Sequence, residues 1–82
     1  MPYSFPHQLL KLRTEKQLSQ AELATRLFVS RQAVSKWENG DAEPSIDKLI
    51  LLAKVFKVSL DRLILGTNDF NQPLVKLNNI VK

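Results

Sequence analysis

The chain has no cysteine and only one histidine, His7. These scarcities remove disulfides, thiolate zinc sites and thiol nucleophiles together, and leave no second imidazole for a histidine cluster or a Ser-His-Asp array. Zinc fingers are excluded, enzymology is poorly provisioned, and no cofactor or metal is expected. Glycine (2 residues) and proline (4) are sparse among 82, so the composition is neither fibrous nor that of a flexible linker. No stretch of about 18 uninterrupted apolar residues occurs, so no membrane span is expected. The opening residues, MPYSFPHQ, lack the basic start and apolar run of a signal peptide, which makes the cytoplasm the expected compartment.

What the chain does hold suits one small helical module. A hydrophobic content of 44% supports a core. It is a thin one, because a chain this short buries only about 60% of the surface its unfolded form exposes. The net charge is +4 and is unevenly spread. Residues 1–40 set Lys11, Arg13, Lys16, Arg26, Arg31 and Lys36 against Glu15, Glu22 and Glu38, a surplus that suggests an anionic partner for this half. A charge of this size is also ordinary for solubility.

The punctuation is helical. Pro2, Pro6, Pro44 and Pro73 lie outside the apolar-periodic stretches, Gly40 and Gly66 each follow one, and period-2 alternation never persists over a strand length. Five helices follow. The first runs from about His7 to Lys16, with Leu9, Leu12 and Phe5 on one face. Ser19-Gln20-Ala21-Glu22 reads as a capping box opening a second that ends near Leu27. Ser30 caps a third that ends at Asn39-Gly40. Ser45 caps a fourth, whose Ile46, Leu49, Ile50, Ala53 and Phe56 fall at helical spacing, and Ser59 starts a short fifth, closed by Gly66. The leucines and isoleucines of these last two helices are expected in the core. No internal repeat or low-complexity segment is visible.

The second and third helices are separated only by Phe28-Val29-Ser30, too few residues for an ordinary antiparallel return but suited to a helix-turn-helix crossing. On the third helix, a step of about 100° per residue places Arg31, Ser35, Gln32 and Lys36 at roughly 0, 40, 100 and 140°, on one arc. Ala33, Val34, Trp37 and Glu38 take the opposite arc. A helix fits a DNA major groove, where arginine and lysine donate to guanine O6 and N7, and glutamine bonds adenine N6 and N7. The same arc also suits a plain solvated helix face.

From Leu9 to Gly66 the chain resembles the Cro/lambda-repressor family of helix-turn-helix proteins, also called the XRE family. The matching motifs are Leu12-Arg13, Ser19-Gln20 followed by Leu23-Ala24, Val29-Ser30-Arg31-Gln32, Val34-Ser35, Trp37-Glu38-Asn39-Gly40 and Pro44. Each is weak alone, and the ordered set is specific. The resemblance implies an all-α, compact five-helix lambda-repressor-like DNA-binding domain over residues 1–66. It implies base contacts from Arg31, Gln32, Ser35 and Lys36, and DNA backbone contacts from Gln20, Ser30 and Asn39. It also implies a structural salt bridge between Arg13 and Glu38. Position 28 often holds glycine in this family, and Phe28 departs from that pattern where the turn can need a positive φ.

The expected activity is therefore sequence-specific binding of a double-stranded DNA operator by a non-enzymatic regulator of transcription, most simply a repressor. One domain covers one half-site, which points to a homodimer on an inverted repeat with half-sites about 34–36 Å apart. Residues 67–82 form a C-terminal tail in which Leu74, Leu77 and Ile80 or Val81 are spaced for a sixth, short amphipathic helix. The tail reads as a dimerisation segment, as a helix folded onto its own domain, or as a stub of a longer chain. A different class stays open beside these: an antitoxin-like or adaptor module that holds a protein partner through residues 70–81, with DNA binding secondary.

Overall fold

The computed structural model describes residues 5–66. Within them lie α1 (Phe5–Glu15), α2 (Gln20–Leu27), α3 (Arg31–Asn39), α4 (Ile46–Phe56) and α5 (Leu60–Leu65), and no strand. The five-helix expectation is met to within two residues at each boundary. The largest difference is at the start of α1, which begins at Phe5 and takes Pro6 into its first turn. Proline is tolerated there because the missing N–H has no intrahelical partner in any case.

Four helices begin on a serine. Ser19, Ser30, Ser45 and Ser59 are extended, and their hydroxyls accept from the N–H groups of Glu22, Ala33, Lys48 and Arg62 at 3.0, 3.1, 3.3 and 3.1 Å. A cap of this kind contributes about 1 kcal/mol over alanine. At α2 the exchange is reciprocal, since the Glu22 carboxylate accepts from the Ser19 backbone N–H at 2.7 Å. That bond, with the one from the Ser19 side chain, holds the Glu22 carboxyl below its ordinary value.

The helices also stop alike. Gln17, Phe28 and Lys57 take left-handed backbone with φ of 60°, 61° and 58°. The next residues, Leu18, Val29 and Val58, donate their N–H groups back to Arg13, Ala24 and Ala53 at 3.1, 3.0 and 3.0 Å. Their side chains pack against the core. This six-to-one closure with an apolar contact is a Schellman ending. A serine cap then follows at once, so three of the four connections repeat one device: a left-handed residue, a partly buried apolar residue packed on the core and a capping serine. The fourth connection uses Gly40 (φ 81°) and a longer path to Ser45.

The core gathers Phe5, Leu9 and Leu12 of α1, Leu23, Ala24 and Leu27 of α2, Val34 and Trp37 of α3, Leu52 and Phe56 of α4, and Leu63 of α5. The expectation for the last two helices needs correction. Ile46, Ile50, Leu60 and Leu65 are exposed, and the inward stripe of α4 runs through Leu49, Leu52, Ala53 and Phe56. The helix carries apolar residues on more than one side, so spacing alone did not select the face that the other helices cover.

One ion pair ties α1 to α3. Arg13 Nε donates to Glu38 Oε2 at 2.6 Å and Nη2 to Oε1 at 3.2 Å, with the two side chains only 13% and 6% exposed. Arg13 Nη1 also donates to the Leu18 carbonyl at 2.8 Å. This fork-to-fork pairing satisfies both charges.

Two stability predictions follow from these contacts. Arg13→Ala strands the Glu38 carboxylate in a largely buried position, and urea unfolding is expected to show a loss of about 3–5 kcal/mol. Phe28→Gly removes a left-handed side chain that is 81% exposed and packs little, so it is expected to raise stability by about 1 kcal/mol, while Phe28→Ala, which keeps the strained geometry, does not.

Candidate nucleic-acid interface

Burying Val34 and Trp37 decides which way α3 faces. With those two side chains in the core, Arg31, Gln32 and Lys36 stand exposed on the other side, and Ser35 lies half-buried at its edge. The single outward arc anticipated from the spacing is thus the solvent face of the helix. Ser30 and Asn39, both exposed, mark its two ends. Ser30 is the cap residue, and Asn39 is the last helical residue before the left-handed Gly40, whose N–H donates to Trp37 O at 3.3 Å.

The charge along α3 is graded. Its first turn has no acidic residue, so the positive end of the helix dipole, capped by the neutral Ser30 hydroxyl, is not offset by a carboxylate of that turn and sits beside Arg31. Such an end attracts anions. Beyond the C-terminal end the sign changes, with Asp41 and Glu43 both exposed.

The turn into α3 takes the geometry that its unusual residue put in question. Phe28 adopts φ 61° and ψ 41°, as a glycine would. It is supported by Lys48 of α4, whose Nζ donates to the Leu27 carbonyl at 2.8 Å and lies 5.9 Å from the Phe28 ring centroid. Sequence reading missed Lys48, because a lysine 21 residues from the carbonyl it caps leaves no local signal.

Gln20 differs most from its expected surroundings. Its Nε2 donates to Glu38 Oε1 at 2.9 Å, and its Oε1 accepts from Arg31 Nη1 at 3.3 Å. The amide assigned to a DNA phosphate is therefore engaged inside the protein at both ends, with one N–H of Nε2 left over. Of the expected site residues, Arg13, Glu38, Gln20 and Arg31 join into one hydrogen-bonded chain. Gln32, Ser35 and Lys36 share a face with Arg31 without joining that chain.

Among the described residues no group of three or more histidine, cysteine, aspartate or glutamate side chains is placed to hold a metal. No described helix is long and apolar enough to cross a membrane.

Comparison with known proteins agrees with this geometry. The helix-turn-helix family model matches residues 9–63. The HTH-type transcriptional activator BcrR of Enterococcus faecalis is 45% identical over 62 residues, which are 76% of this chain and 30% of that protein. The SPbeta prophage-derived HTH-type transcriptional regulator YonR of Bacillus subtilis is 41% identical over 64 residues, 78% of this chain and 59% of that protein. The matches thus span less than two thirds of either relative. Among solved structures, the P22 c2 repressor in complex with a synthetic operator superimposes with a TM-score of 0.73 at 30% identity, covering 77% of this chain and 96% of the repressor chain. A family model that spans most of the helical body, from within α1 to within α5, together with a repressor that shares its fold, makes this chain a member of the Cro/lambda-repressor, or XRE-type, helix-turn-helix family.

Proposed function

We propose that the chain is a sequence-specific, double-stranded DNA-binding regulator of transcription that lays α3 in the major groove. The observation that carries this reading is the exposed Arg31, Gln32 and Lys36 opposite the buried Val34 and Trp37. It is supported by the likeness to a repressor solved on its operator. Arg31, Gln32 and Lys36 read base edges, with Ser35 at the margin. Ser30 and Asn39, at the two ends of α3, and the spare N–H of Gln20 hold the phosphate backbone. Phosphate contacts set the register, and base contacts supply the selectivity.

The protein acts as a homodimer on an inverted repeat, because one α3 reads too few base pairs to define an operator. Leu60 and Leu65 on α5 are 41% and 51% exposed and supply apolar surface for a second copy. Residues 67–82 form the separate tail segment, proposed as part of the same dimer contact, and lie outside the described residues. The alternative reading of residues 70–81 as a protein-partner segment falls there too. The regulation is repression, since an occupied operator blocks a promoter without a further protein contact. The work is non-enzymatic, in keeping with relatives named as transcriptional regulators, and its compartment is the cytoplasm.

Selection from a random duplex library at about 150 mM salt tests the proposal, because affinity depends steeply on ionic strength. Enrichment of a palindrome with half-sites one helical turn apart is expected, and weak binding with no enriched sequence overturns it. On the selected site, Gln32→Ala is expected to relax preference at one base-pair position by about 1–3 kcal/mol. Asn39→Ala is expected instead to weaken binding to all duplexes alike, as a lost phosphate contact does. Competition assays with single-base variants of the site separate the two.

A further inference from the structure

Arg31 is exposed at the start of α3, yet one of its guanidinium nitrogens is tied to the fold. The tie has a fixed polarity. A carboxylate has only acceptors, so the end of the Gln20 amide that meets Glu38 Oε1 is the NH2 group, at 2.9 Å. The other end, Oε1, then turns to Arg31 and accepts from Nη1 at 3.3 Å. Glu38 cannot rotate away, because Arg13 grips both its oxygens, at 2.6 and 3.2 Å, and Arg13 is itself held by the Leu18 carbonyl at 2.8 Å. Direction is thus passed from a mostly buried salt bridge to an exposed side chain through one amide.

We propose that Glu38, acting through Gln20, is a specificity-determining positioning residue that aims the Arg31 guanidinium at one base pair. The inference rests on the reading of α3 as the base-reading helix. A free arginine must lose rotamer freedom when it binds, and a pre-aimed one loses less. Nη1 spends one N–H on Gln20, and four of the five guanidinium donors remain, enough for the paired bond to guanine O6 and N7.

Glu38→Gln reverses the relay. Its amide oxygen is drawn to the short contact with Arg13 Nε, which leaves its NH2 facing Gln20. Gln20 then turns its own oxygen inward and presents NH2 to the Arg31 cation, which repels it. Gln20→Met cuts the relay at the middle and leaves the Arg13–Glu38 pair untouched, so it keeps the test alive if Glu38→Gln fails to fold.

The experiment is duplex selection with the full chain and with Arg31→Ala, Gln20→Met and Glu38→Gln, each first checked for helical content by circular dichroism. Both relay variants are expected to keep the selected motif except at the position that Arg31→Ala also flattens, where preference falls roughly tenfold. In an Arg31→Ala background, Glu38→Gln is expected to change the base profile no further. A structural role alone lowers the melting temperature and leaves the profile intact. Gln20→Met also removes the proposed phosphate contact and so weakens binding to every duplex alike, but retention of that base preference in folded Gln20→Met, or an equal flattening of the base profile at every position, overturns the relay. If the unaltered chain enriches no motif, it is the base-reading proposal that fails first, and the relay falls with it.

Discussion

The domain depends on how little chain joins its helices. At each of three joints a left-handed residue turns the backbone, a half-buried apolar residue packs against the core, and a serine starts the next helix. Such a joint has no slack, because its middle residue is packed while its neighbours on both sides satisfy helix ends. The direction of α3 relative to α2 therefore follows from Phe28, Val29 and Ser30. At its far end α3 is held by Glu38 in the grip of Arg13. A helix fixed at both ends, with Val34 and Trp37 buried between, has only one face left to present.

Much of this was legible beforehand, for a physical reason. Serine caps, the Ser19–Glu22 box and the periodicity of α3 are local, so a few consecutive residues carry them, and the helix boundaries and outward arc came through. The Arg13–Glu38 pair was available only by resemblance, because 25 residues separate the partners. The left-handed ends at Gln17 and Lys57 escaped notice because neither residue is the glycine that usually marks such a site. A signal did exist in the recurring apolar-serine pairs Leu18-Ser19, Val29-Ser30 and Val58-Ser59, each placed just after a helical run. The exposed Ile46 and Ile50 show the opposite failure, in which a helix with too many apolar residues hides its buried face. The inward contacts of Gln20 reach residues 11 and 18 positions away, and only the packed fold reveals them.

The mostly buried ion pair is not an obvious choice for stability alone. Well-packed apolar residues of similar volume often serve a core as well as a salt bridge or better. What apolar residues lack is polarity, and this pair sits where polarity has a use, between the body of the domain and the first turn of α3. A small core is thereby given a defined orientation at the exposed start of α3, which area burial by itself does not supply.

Trp37 is the only tryptophan in the chain, and it is 5% exposed on the inner side of α3, directly after Lys36 on the outer side. The protein thus carries an intrinsic fluorophore sealed behind the exposed polar face of α3. Its emission is expected to lie toward the blue while α3 is seated and to move red as the indole meets water. The seating of α3 can accordingly be followed optically, with no label attached to its exposed face.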